Sequence, residues 1–116
     1  MTATILVADD ELFIVNLVAA LLEDEGYTVL HARDGAEALA LAVTERPDLI
    51  LADVMMPRLT DIELAQRLRA IEGGAGPPII LLSAVHEPRD LPEHTVFVPK
   101  PFDMEHLAAL VARLLA

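Results

Sequence analysis

The run Leu49-Ile50-Leu51-Ala52 ends on a lone carboxylate, Asp53, and Val54-Met55-Met56 leads at once into Pro57. Four small or branched apolar residues in a row suit a strand buried on both faces. Pro57 can neither continue a strand ladder nor sit inside a helix, so the strand must end between Asp53 and Pro57. Asp53 then stands at the strand's carboxyl end, where open parallel α/β sheets place their ligand sites. Taken alone, the stretch supports a turn aspartate bonded to its own backbone equally well.

Two further runs decide between these readings. Ile5-Leu6-Val7-Ala8 ends in the acidic triplet Asp9-Asp10-Glu11, and Val96-Phe97-Val98 ends in Pro99-Lys100-Pro101-Phe102. In a parallel sheet all three ends lie on one edge. Asp9, Asp10, Asp53 and the Lys100 ammonium would then share one shallow crater. Carboxylates gathered in this way call for a hard cation, and the lysine is a second source of positive charge.

Helical patterns separate the strands. Leu12 to Glu25 reads as a helix closed by Gly26, with Ile14, Leu17, Val18, Leu21 and Leu22 on one face. Leu12, Val15 and Ala19 fall largely off that face, which makes Leu12 and Val15 a candidate docking surface. Tyr27 to Leu30 reads as a strand, and Asp34 then caps a helix from Gly35 to Glu45, with Glu37 completing a capping-box pattern. Thr60 and Glu63 open another helix, running to about Ile71. The breaker cluster Gly73-Gly74-Ala75-Gly76-Pro77-Pro78 lacks the ending of a phosphate loop and leads into a strand, Ile79 to Leu82, followed by Ser83-Ala84. Pro88 and Pro92 bar a helix of several turns between Ser83 and Val96. Asp103 caps a last helix carrying Leu107, Leu110, Val111, Leu114 and Leu115. Strand and helix alternate, which implies a parallel sheet covered on both faces.

At 116 residues the chain is one domain, and with 54% apolar but only 3% aromatic residues its core is aliphatic. It has no cysteine, hence no disulfide or thiolate chemistry. The net charge of −11 counts against direct contact with nucleic acid or an anionic membrane and favours a protein or a metal ion as partner. The segment Leu12 to Leu22 is too short to span a bilayer, and no basic residues precede it as in a signal peptide. A soluble cytoplasmic protein is expected. The histidines His31, His86, His94 and His106 show no metal-ligand spacing.

Asp9-Asp10 after the first strand, Asp53 with Met56-Pro57, Ser83-Ala84 and Lys100-Pro101-Phe102, in that order, resemble the receiver domain of bacterial two-component response regulators. The resemblance spans essentially the whole chain. It implies a flavodoxin-like, doubly wound five-stranded parallel sheet of order 2-1-3-4-5, here with the fourth helix shortened or missing, and a single receiver domain over residues 1–116 without an output domain. It implies that Asp53 is the phosphoacceptor of a histidine kinase or phosphotransfer protein. Asp10, Asp53 and the Met55 carbonyl would bind Mg²⁺, with Asp9 acting mainly through water. Lys100 would pair with Asp53 and then hold a phosphoryl oxygen, Ser83 would bond another, and Phe97 would be the aromatic that swings inward. Read singly, Asp9 or Asp10 is a helix cap, Ser83 a turn residue and Phe97 plain core.

Departures from the family pattern also matter. Asp61 stands where glycine is frequent, and the segment from Ser83 to Lys100, which holds the family's fourth helix, is several residues short. Met55 and Val85, at positions that tune loss of the phosphoryl group, are both apolar. Signalling by protein binding or onward relay is therefore expected, without enzymatic action on other substrates and with an unspecified downstream protein. The rivals are a small haloacid-dehalogenase-like aspartyl-phosphate hydrolase, whose second aspartate is replaced here by Met55, and a receiver-shaped module that is never phosphorylated.

Overall fold

The computed structural model describes residues 2–9, 11–53, 77–83, 95–99 and 103–115. Five strands, β1 (Thr4–Ala8), β2 (Thr28–Ala32), β3 (Leu49–Asp53), β4 (Ile79–Ser83) and β5 (Thr95–Pro99), form one parallel sheet of order β2-β1-β3-β4-β5. Three helices are described: α1 (Leu12–Asp24), α2 (Gly35–Glu45) and α3 (Met104–Leu115). The expected flavodoxin-like order is therefore the observed one. The helix expected from Thr60 to Ile71 and the shortened fourth-helix region at 84–94 lie outside the described residues.

Strict alternation along the strands divides the core in two. Ile5, Val7, Leu49, Leu51, Ile80, Leu82 and Val98 face one side, where α1 contributes Val15, Val18 and Leu22 and α3 contributes Leu107, Leu110 and Val111. Leu6, Ala8, Ala32, Ile50, Ala52, Ile79 and Leu81 face the other, against Ala38 and Ala42 of α2. Central strands covered on both faces need apolar residues at every position, which is why these runs read as continuous rather than alternating.

Local chemistry sets the element ends. α1 closes on two backbone bonds, from the Gly26 N–H to the Glu23 carbonyl at 3.0 Å and from the Tyr27 N–H to the Leu22 carbonyl at 3.1 Å. This is the Schellman pairing, and Gly26 takes the left-handed backbone it requires, at φ +98°. A Cβ at that position would meet nothing within 4 Å, so the backbone angle and not space favours glycine. At α2 the Asp34 carboxylate accepts from the Glu37 N–H at 2.8 Å, while Glu37 reaches back to the Arg33 N–H at 3.1 Å. The expected capping box is thus present, with its return bond one residue earlier than usual. Asp103 likewise accepts from the Glu105 N–H at 2.8 Å at the start of α3. At the opposite edge of the sheet, Asp48 ties β1 to β3: its carboxylate accepts from the Thr4 N–H and its own N–H donates to the Thr4 carbonyl, both at 2.7 Å.

One expectation fails. The face of α1 turned to the sheet is Val15, Val18 and Leu22, with Val15 only 3% exposed, whereas Leu17 is 45% exposed. The helix is rotated by less than one residue's step from the stripe read in the sequence. Val15 is core and cannot be a docking residue. An α1 apolar nearly all round has several competing stripes, and the sheet selects the one whose branched side chains fill the groove above β1 and β2.

Arg46, which closes α2, adopts φ 46° and ψ 64°. A side chain in this left-handed region costs on the order of 1 kcal/mol that glycine avoids. Arg46→Gly is expected to leave the protein as stable or up to about 1 kcal/mol more stable in urea unfolding. A loss greater than that would show that the Arg46 side chain itself holds the turn.

Candidate functional site

Register places the candidate residues along one edge. Ala8 of β1 pairs with Ala52 of β3, so the next positions, Asp9 and Asp53, lie side by side at the carboxyl ends of the two central strands. Asp53 pairs in turn with Leu82, and Ser83 at the end of β4 pairs with Pro99 at the end of β5. From β1 the chain crosses to β2 on one side and returns to β3 on the other, so the strand order reverses between β1 and β3. Ligands of open α/β sheets bind in the crevice at such a reversal. Asp9 and Asp53 are the residues that flank it.

Asp9 is 2% exposed and is the one buried charged residue among the described residues. Its N–H extends the β1–β2 ladder to the Ala32 carbonyl at 3.1 Å, which fixes the backbone just beyond the strand. Its Oδ1 accepts from the Glu11 N–H at 2.8 Å, an Asx-type turn that leads the chain into α1. Glu11 is the N-cap of α1 and makes no side-chain bond there, so Asp9 is not the helix cap that the bland reading made it; its carboxylate closes the turn before the helix and keeps its place at the crevice. The His31 ring Nε2 lies 3.4 Å from the Asp9 carbonyl oxygen. A carboxylate buried this deeply is stable only among donors or positive charge. An all-oxygen donor set at a strand edge suits a hard cation such as Mg²⁺.

The remaining candidates divide between the described residues and the rest. Ser83 occupies the last position of β4, two strands from Asp9. Phe97 is half-buried on β5, packs against the α2-side core and borders a cavity of about 290 Å³ lined also by Val96, His106, Leu110 and Arg113. Asp10, Met55, Val85 and Lys100 lie outside the described residues. Among the described residues alone, no group of three or more His, Asp or Glu side chains could hold a metal ion. No helix among the described residues is long and apolar enough to cross a membrane. The sequence reading missed Phe13, which is 72% exposed at the start of α1, beside this edge. The sequence held no decisive signal for it, because a helix apolar nearly all round does not show which stripe is buried.

A five-stranded parallel sheet whose strand order reverses between β1 and β3 defines the open, doubly wound α/β class. The chain belongs to the response regulator receiver domain family, whose pattern it matches over residues 5–112. Among curated proteins it is 39% identical over 116 residues to the DNA-binding dual master transcriptional regulator RpaA of Synechocystis sp., covering 96% of this chain and 48% of that protein. It is 48% identical over 90 residues to the alkaline phosphatase synthesis transcriptional regulatory protein PhoP of Bacillus subtilis, covering 78% of this chain and 37% of that protein. The chain thus spans half or less of the length of these two relatives. Among solved structures, the chemotaxis response regulator CheY4 of Vibrio cholerae superposes with a TM-score of 0.88 at 34% identity, covering 99% of this chain and 100% of that one. The receiver domain of the hybrid histidine kinase CckA gives 0.83 at 33% identity, covering 97% and 99%. A receiver domain is a signalling domain, and the fold expected from the sequence is the fold of these neighbours.

Proposed function

We propose that this receiver is the phosphoacceptor of a two-component pathway and that Asp53 takes a phosphoryl group from a phosphohistidine of a histidine kinase or phosphotransfer protein. A carboxylate oxygen of Asp53 attacks phosphorus, the P–N bond breaks, and the imidazole keeps the electron pair and takes up a proton. An acyl phosphate on Asp53 results. The observation that carries the proposal is the register of β1 and β3, which sets Asp53 beside Asp9 at the point where strand order reverses.

Phosphoryl transfer needs little more from a protein than positioning and neutralisation of negative charge. In this reading Asp10, Asp53 and the Met55 carbonyl would hold Mg²⁺, with Asp9 engaging it through water, and the ion would supply positive charge against the phosphoryl oxygens. Lys100 pairs with Asp53 beforehand and with a phosphoryl oxygen afterwards. Ser83 donates its hydroxyl to another oxygen, which draws its loop inward, and Phe97 follows. The domain assists only its own phosphorylation and dephosphorylation. It signals from the cytoplasm by protein contact or onward relay, and its net charge of −11 disfavours direct contact of this domain with DNA or anionic lipid. No output domain on the same chain is required for this.

Three measurements test the reading. Asp53→Asn should abolish labelling by acetyl phosphate, because the amide offers no carboxylate oxygen to form an acyl phosphate. Undiminished labelling, mapped to Asp9 or Asp10, overturns the assignment.

Mg²⁺ should raise the melting temperature. At ten times its dissociation constant a bound ion adds about 1.4 kcal/mol, a shift of several degrees for a domain of this size. Asp10→Ala should lose the shift; a wild type indifferent to millimolar Mg²⁺ has no such site.

The third measurement concerns phosphoryl lifetime. Hydrolysis needs a water aligned opposite Asp53, and neither Met55 nor Val85 can orient one with a strong hydrogen bond. Losing one such bond, worth about 1.4 kcal/mol in the transition state, slows hydrolysis roughly tenfold. A long-lived phosphoryl group is expected, and Met55→Asn with Val85→Glu should shorten it severalfold in phosphate-release assays. Equal rates would show that these side chains do not control the attacking water.

A further inference from the structure

We infer that His31 is a positioning residue for the metal site, its ring holding the Asp9 carbonyl and with it the peptide that joins Asp9 to Asp10. That role presupposes the Mg²⁺ site proposed above and adds to it a side chain from β2. Asp9 is held at three points. Its N–H donates to the Ala32 carbonyl at 3.1 Å, its Oδ1 accepts from the Glu11 N–H at 2.8 Å, and its carbonyl oxygen lies 3.4 Å from the His31 Nε2. A carbonyl oxygen can only accept, so Nε2 carries the proton and the ring is the donor. The first bond continues the β1–β2 ladder, and the second uses the carboxylate of Asp9 itself. Of the three, only the hold from His31 depends on a side chain elsewhere in the sequence.

Register explains how the ring reaches this point. β2 runs parallel to β1, with His31 beside Val7 and Ala32 beside Ala8. Val29 packs in the layer beneath α1 and Leu30 in the layer against α2. Alternation along β2 therefore puts His31 on the α1 side, where β1 hands over to the helix. Ala32 is the last residue of β2, and the next N–H, of Arg33, is turned to the Glu37 carboxylate in the cap of α2. Just where the backbone of β2 leaves β1, the half-buried ring takes over the hold on it. The peptide unit is planar, so fixing the Asp9 carbonyl fixes the plane through which the chain passes to Asp10. Mg²⁺ demands near-ideal octahedral geometry, and acids on a peptide free to rotate meet that demand poorly. Hydrogen-bond partners one step behind a metal's ligands typically change its affinity about 10- to 100-fold. The ordinary alternative is a histidine that merely satisfies itself on the nearest carbonyl, and the two differ in what they do to Mg²⁺ affinity.

The experiment compares the full wild-type chain with His31→Leu, His31→Ala and His31→Gln. Leucine keeps much of the bulk without a donor, alanine removes both, and glutamine carries an amide N–H as many bonds from the backbone as Nε2. The Mg²⁺ dissociation constant is measured by isothermal titration calorimetry, and urea unfolding is followed without the metal. Labelling by acetyl phosphate is timed at limiting and at saturating Mg²⁺. His31→Leu and His31→Ala should each weaken Mg²⁺ binding about tenfold, the lower end of that range. His31→Gln should restore most of the loss, and metal-free stability should not follow the order of the affinities. Labelling of His31→Leu should be slow at limiting Mg²⁺ and return to the wild-type rate at saturation. The role is refuted if the leucine and alanine variants bind Mg²⁺ as wild type does, or if affinity merely tracks metal-free stability. It is refuted equally if His31→Gln loses as much affinity as they do, which assigns the effect to packing of the ring. Should His31→Leu not fold, the alanine and glutamine variants decide between the same outcomes. A wild type that binds no Mg²⁺ overturns instead the metal reading itself, and the role of His31 with it.

Discussion

The pairing of β1 with β3 is the contact on which the rest of the domain depends. These strands form the centre of the sheet and bury Ile5, Leu6, Val7, Leu49, Ile50 and Leu51 on both faces. A slip of one residue would send every one of those side chains to the opposite layer and would separate Asp9 from Asp53. The Asp48 pair of bonds to Thr4 holds the register at one end and the apolar rows hold it through the middle. The acidic crevice at the other end is a consequence of that register, since polar residues can follow only where burial stops.

Much of this was legible in the sequence because the strands announce themselves. Uninterrupted aliphatic runs that end in aspartate, serine or proline have few alternatives, and all five expected strands are found, with ends shifted by a residue or two. The caps at Asp34 and Asp103 were equally clear, because a carboxylate before a periodic run has one strongly preferred local use. The last helix was read correctly as well: its apolar positions lie on one arc with charges opposite, and Leu107, Leu110 and Val111 are the buried ones.

The orientation of α1 was not legible, for a related reason. Only Asn16 interrupts its apolar surface before Glu23, so periodicity alone could not say which stripe meets the sheet. The tertiary contacts decided it, turning Val15 inward and leaving Phe13 and Leu17 outside. At the candidate site, the sequence supplied the residue types and their order along the edge. It could not supply the depth of Asp9, nor its bond to the Glu11 N–H, because both follow from how β1 hands over to α1.

The two layers of the core are made of different material. On the α2 side Ala8, Ala32, Ala38, Ala42 and Ala52 all have 2% exposure or less, so alanine methyl groups fill much of that layer beside Leu6, Ile50, Ile79 and Leu81. On the α1 and α3 side the contact is made by leucine, isoleucine and valine, with no alanine among the described buried residues. Branched side chains can trade volume among neighbours, whereas a methyl-lined seam has no slack to redistribute. Over evolutionary time the domain can therefore drift beneath α1 and α3 while the seam under α2 stays nearly fixed. The layer beneath α1 and α3 is thus the one free to be remodelled.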